Sequence, residues 1–155
     1  MSNQTEFLEI DRALRQEWMA ILAKARPEDL EEAWRFLREK SKYRFLRPPE
    51  TGLVMVRARA GGTGRQFNLG EVTVTRCTVQ TEGGITGTAY VRGRGRRHAE
   101  LAALFDALLQ DPSRHASLMD DVIRPIERSI RERNAMIVKK AAGTRVEFFT
   151  MVRGD

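Results

Sequence analysis

Between Glu50 and Arg76 the chain reads ETGLVMVRARAGGTGRQFNLGEVTVTR, two alternating segments around a glycine cluster. Alternation of this kind favours strands with one buried face, and glycine permits the positive φ that a reversal needs. The spacing predicts strands over Leu53–Ala60 and Leu69–Val79, with Gly61, Gly62 and Gly64 in the loop. Val54, Val56, Ala58 and Ala60 share one face of the first segment, while Arg57 and Arg59 share the other. In the second, Val72 and Val74 lead on their own side to Arg76, so an arginine stands where patterning wants a valine. Function, or an absent partner chain, is to be sought at such a position.

The flanks are helical in pattern. Residues 5–25 place Leu14, Trp18, Ile21, Leu22 and Ala25 at helical spacing. Pro27 suits the first turn of a second helix, where Glu28, Asp29, Glu31 and Glu32 complement the dipole and Leu30, Trp34 and Leu37 form the stripe. Tyr43–Leu46 reads as a short edge strand stopped by Pro48 and Pro49. Ile85–Arg92 completes a meander after the Gly83-Gly84 reversal. Arg96–Gln110 returns to helix on Leu101, Leu104, Phe105 and Leu108. Asp111-Pro112 starts another, which Pro125 kinks or restarts, and Ile126, Ile130 and Ile137 carry its apolar side to Gly143.

The expected fold is α+β: a single domain, with helices packed on a mainly antiparallel sheet. It divides into a helical part (1–47), a basic glycine-rich β meander (48–95), and helices with a terminal strand (96–155). A chain of 155 residues buries about 68–70% of its unfolded surface. Its apolar runs are too short to span a membrane, and Glu6, Glu9 and Asp11 do not fit a secretory leader. One cysteine excludes an internal disulfide and fits the cytoplasm.

The net charge of +6 is concentrated in that centre. Residues 51–97 carry eight arginines against Glu71 and Glu82, whereas both flanks are balanced. Such a patch implies anionic company. The loop of Gly61, Gly62, Thr63 and Gly64 has two readings, a phosphate cradle aided by Arg57, Arg59 and Arg65, or a plain hairpin connection. It lacks the lysine of a Walker loop. Arg94, Arg96, Arg97 and His98 mark a helix start, where cations oppose the dipole unless an anion offsets them. They either hold that anion or face solvent and a partner's acids. His98 reads more simply as a buried, hydrogen-bonded histidine than as a catalyst, and Cys77 as a small core residue. No catalytic residues, metal ligands or bound cofactor are expected, because no nucleophile–base set or zinc spacing is visible. At the end of the chain, Arg145–Val152 reads as a strand apolar on both faces. Such a strand either occupies the sheet centre or is covered by another subunit; the second reading puts Phe148, Phe149, Met151 and Arg153 at a partner interface.

Four blocks carry a family resemblance: Arg15–Ala23 (RQEWMAILA), Glu50–Cys77, Tyr90–Ala107 with VRGRGRRHAELAALFDA, and Val146–Asp155 (VEFFTMVRGD). Together they resemble the PhnG family, the small subunit of the bacterial carbon–phosphorus lyase core complex. The resemblance implies a role in phosphonate catabolism. In that system adenine is displaced from ATP by methylphosphonate, giving α-D-ribose 1-methylphosphonate 5-triphosphate. It also implies companion subunits H, I, J and L, with ATP and phosphonate as substrates of the complex, and so favours the covered reading of the terminal strand. The nucleosidase chemistry is placed in subunit I, which leaves this chain a supporting role. The alternative from composition alone is a basic nucleic-acid-binding module. Against it, Phe67 and Tyr90 are the only aromatics between Gly52 and Arg97.

Overall fold

A computed structural model describes residues 12–145. Two helices come first, α1 (Arg12–Lys24) and α2 (Pro27–Phe36). They bury Trp18 and Leu22 from α1 and Leu30 from α2. Three antiparallel strands follow in the order β1 (Tyr43–Arg59), β2 (Gln66–Thr81) and β3 (Thr86–Arg92). Next come α3 (Arg96–Leu109), α4 (Pro112–Leu118), a π-helical turn over Met119–Ile123, and α5 (Arg124–Gly143). This is the expected α+β class. Asp111 caps α4 through Ser113 N–H at 2.9 Å, as the Asp-Pro pair foretold. The π turn lies just before Pro125, whose missing N–H breaks the regular ladder at that point.

Pro48 and Pro49 do not stop β1, contrary to the sequence reading. The strand runs through them, with register slips between Phe45 and Arg47 and again between Arg47 and Glu50. β1 is an edge strand, so a bulged stretch accommodates two residues that cannot donate to a ladder.

The buried face of β2 carries Thr75, Cys77, Val79 and Thr81, not Val72 and Val74. Gly87, Ala89 and Val91 of β3 join that layer. α3 lies over it and is buried from His98 to Leu109 except at Glu100, as befits a helix covered on several sides. A Cβ on Gly87 would overlap the Ala103 carbonyl and stand 2.5 Å from Ala107 N. Only glycine lets helix and strand approach so closely.

Length then decides what stays uncovered. A helix of 14 residues spans about 21 Å, whereas a strand of 16 residues spans roughly 53 Å. The β1–β2 hairpin therefore outruns its helical layer. Leu53, Val54, Met55, Phe67 and Leu69 are exposed, and on the expected buried face of Leu53–Ala60 Val54 and Ala60 are exposed while Val56 and Ala58 are only half-buried. On α5, Ile126 is buried but Ile137 is 60% exposed, so the core ends before the helix does. The expected terminal strand, with Phe148, Phe149, Met151 and Arg153, lies outside the described residues. No helix among the described residues is long and apolar enough to cross a membrane.

Within α3 one residue breaks the apolar run. Asp106 is fully buried and accepts from Arg15 Nε (3.1 Å), Arg15 Nη2 (2.8 Å), Trp18 Nε1 (2.9 Å) and Thr88 N (2.9 Å). Its carboxylate joins α1, α3 and β3, and this partnership raises the Arg15 pKa chiefly through the hydrogen bond. Removing one member of a buried ion pair typically costs about 3–5 kcal/mol. Arg15 is itself about a third exposed, and Trp18 and Thr88 still donate to Asp106 without it. Arg15→Met is therefore expected to lower the urea-unfolding free energy by less, about 1.5–3 kcal/mol. A loss under about 1 kcal/mol, as for an exposed pair, contradicts this account.

Candidate functional site

The basic centre is organised around the turn from β3 into α3. Gly93 takes φ of 90°, which glycine tolerates and larger residues resist. Its N–H donates to Thr73 O (2.8 Å) and its carbonyl accepts from Thr75 Oγ1 (2.7 Å). Thr75 also meets Thr51 Oγ1 at 3.0 Å, so both long strands pin this turn. Gly95 then caps α3 without a side chain, and the first helical turn contains no acid. The opening N–H groups of a helix have no partner within it. Arg94 and Arg96 flank them, exposed and without an ion pair among the described residues.

Arg97 and His98, expected beside them, are engaged elsewhere. Arg97 holds Glu31 through Nε (2.9 Å) and Nη2 (3.0 Å), and its Nη1 lies 3.2 Å from Glu100. These bonds raise its pKa, Glu31 first. Tyr43 donates to the same Glu100 oxygen at 2.5 Å. Arg97 thus links α2, α3 and β1 as a structural joint. His98 is buried with Nε2 2.9 Å from Leu22 O, so Nε2 carries the proton and donates. The plainer reading of His98 holds. His115 makes a similar backbone bond through Nδ1 to Leu109 O (2.8 Å) and packs tilted on Trp18. Cys77 is fully buried.

Arg76 shares the outer face with Val72 and Val74, but it pairs with Glu50 across the strands at 3.3 Å. The remaining candidates, Arg57, Arg59, Thr63 and Arg65, gather at the far end of the hairpin. There Ala60–Gly62 forms a short 3₁₀ turn with Gly61 and Gly62 at φ of 61° and 79°. Arg59 is eight residues beyond Thr51, roughly 26 Å along the strand. The arginines left free among the nine positions therefore fall in two separate places rather than one site. The one beside α3 combines the open amides of a helix start with two exposed arginines that form no ion pair among the described residues.

Sequence reasoning missed the carboxylates that hold Arg97. Glu31 and Arg97 are 66 positions apart, and no spacing rule connects them. Asp106 did leave a signal, an acid inside the apolar run LAALFDALL.

Comparison with known proteins adds two findings. Residues 13–154 match the family described as phosphonate metabolism protein PhnG. The chain is also similar to alpha-D-ribose 1-methylphosphonate 5-triphosphate synthase subunit PhnG of Rhizobium meliloti (strain 1021). The two are 42% identical over 146 residues, covering 92% of this chain and 91% of the relative.

Tyr43 and Cys77 are expected to make the fold sensitive to alkali. Burial, then the Glu100 bond and charge, pushes the Tyr43 pKa up to about 12. Burial, with a smaller effect of Glu100, pushes the Cys77 thiol up to about 11. Both groups are held protonated in the folded state. The stability this contributes is whole below about pH 9 and is lost as pH rises through those folded values. The urea midpoint should fall between about pH 9 and 11, and Cys77→Ala should flatten part of that slope. A midpoint independent of pH over that range excludes the burial argument for both groups.

Proposed function

The chain belongs to the PhnG family of phosphonate metabolism proteins, and on that premise we propose that it is a subunit of a ribose 1-methylphosphonate 5-triphosphate synthase. The observation that carries the reading is 42% identity spread over 92% of the chain. In this reading adenine leaves ATP as methylphosphonate takes its place on the ribose. The companion chains are subunits H, I, J and L, and ATP and phosphonate are substrates of the complex. This chain binds no cofactor and supports the reaction rather than performing it. Its two histidines are bonded to backbone carbonyls and its one cysteine is in the core, so none of the three is offered to a substrate.

The contribution we assign to it is an anion-holding turn at the start of α3. Arg94 and Arg96 carry the free charge there, and Arg97 and His98 keep the helix in place. A triphosphate or a phosphonate suits guanidiniums and free amides, which bind such oxygens by charge-assisted hydrogen bonds.

Two measurements test this. The purified chain alone should not convert ATP and methylphosphonate, and turnover above a mock preparation overturns the supporting role. Replacing Arg94 and Arg96 together with glutamine should leave the complex assembled and raise the KM for methylphosphonate or ATP. A lost charged hydrogen bond is worth about 1.5–3 kcal/mol, roughly tenfold or more. Failed assembly with unchanged affinity in the residue that does assemble assigns these arginines to a protein contact instead. Arg97→Gln is the contrasting variant, expected to destabilise the fold.

A further inference from the structure

Beyond the Thr51–Thr75 contact the β1–β2 hairpin continues as a two-stranded arm in which no residue is fully buried. Val54 and Val72 oppose each other on one side, while Leu53 and Met55 stand on the other, opposite Thr73 and Glu71. Leu53 and Leu69 are each 65% exposed, Met55 51%, and Val54 and Phe67 45%. A two-stranded hairpin alone is marginally stable in water. A contiguous apolar surface of this kind marks a contact. Here the surface occupies both faces.

The charge of the arm narrows the occupant. Between Thr51 and Thr75 there are three bases, Arg57, Arg59 and Arg65, and one acid, Glu71. All three arginines are exposed and form no ion pair among the described residues. Two copies of the arm laid together would gather six arginines against two glutamates, a like-charge excess that costs free energy. The other route for self-pairing, extension of the β3 edge, is also obstructed. There Asp106 accepts from Thr88 N–H, and Gln110 Nε2 donates to Thr86 O at 2.9 Å.

We propose that the arm inserts into a different polypeptide, which offers an apolar slot closing on both faces of the ribbon and carboxylates where Arg57, Arg59 and Arg65 arrive. The occupant is another subunit of the synthase, so the inference rests on the proposed function. It adds where the grip lies and what chemistry the partner presents.

Leu53 and Val54 are neighbours whose side chains leave the strand on opposite faces, which makes them suitable for a photocrosslinking test. Benzoylphenylalanine is placed at one or the other in the full chain, co-produced with subunits H, I, J and L. The purified complex is irradiated and the products are identified by mass spectrometry. Both positions should crosslink to one and the same companion chain. The triple variant Arg57→Glu, Arg59→Glu, Arg65→Glu should assemble at least tenfold more weakly, with its own thermal unfolding unchanged. Crosslinks to a second copy, to nucleic acid, to nothing, or from one face only overturn the inference, as does assembly of the triple variant at unchanged affinity. If the complex forms and the arm is silent, this inference alone fails. If the unsubstituted chain does not assemble with those subunits at all, the proposed function fails with it.

Discussion

The carboxylate of Asp106 is where the layers of this protein are joined. An ionised carboxylate inside a protein is tolerated only when its lone pairs are engaged. Here two bonds come from Arg15, one from the Trp18 ring and one from the backbone of Thr88. Helix α1, helix α3 and strand β3 are thereby fixed to one pair of oxygen atoms. The close approach at Gly87 depends on the same alignment, because α3 can settle on the sheet only where no side chain intervenes. The start of α3 is placed by this anchor together with the turn at Gly93, which Thr73 and Thr75 of β2 pin.

A second joint works at the other end of α3. Arg97 grips Glu31 and Glu100, and Tyr43 donates to Glu100. This joint is partly exposed, so its net worth is smaller than that of a buried pair. Its effect is positional. It takes one arginine out of the basic patch and leaves Arg94 and Arg96 as the free charge beside the open amides of the helix. The proposed anion contact and the stability of the fold thus fall to neighbouring residues.

The hairpin shows the limit of a small helical layer. Strands rise more than twice as far per residue as helices. A 14-residue helix cannot cover a 16-residue strand, and the remainder must stand alone or find another protein. The exposure of the arm's apolar residues is a consequence of that mismatch.

Much of this was legible from the residues in order. The periods of Leu101, Leu104, Phe105 and Leu108, Pro27 in a first turn and the Asp111-Pro112 start all foretold helices that are present. Glycines between alternating segments foretold the antiparallel meander, because local sterics set turns and periodicity sets element type. The charge partition likewise located the basic centre. Tertiary structure alone decided which side of β2 is buried, since alternation states a period and not a direction. It alone let β1 pass through Pro48 and Pro49, because pairing on one edge tolerates residues that cannot donate. And it alone separated the committed arginines, 76 and 97, from the free ones, 94 and 96. An ion pair between residues 66 positions apart exists only once the chain has brought α2 against α3.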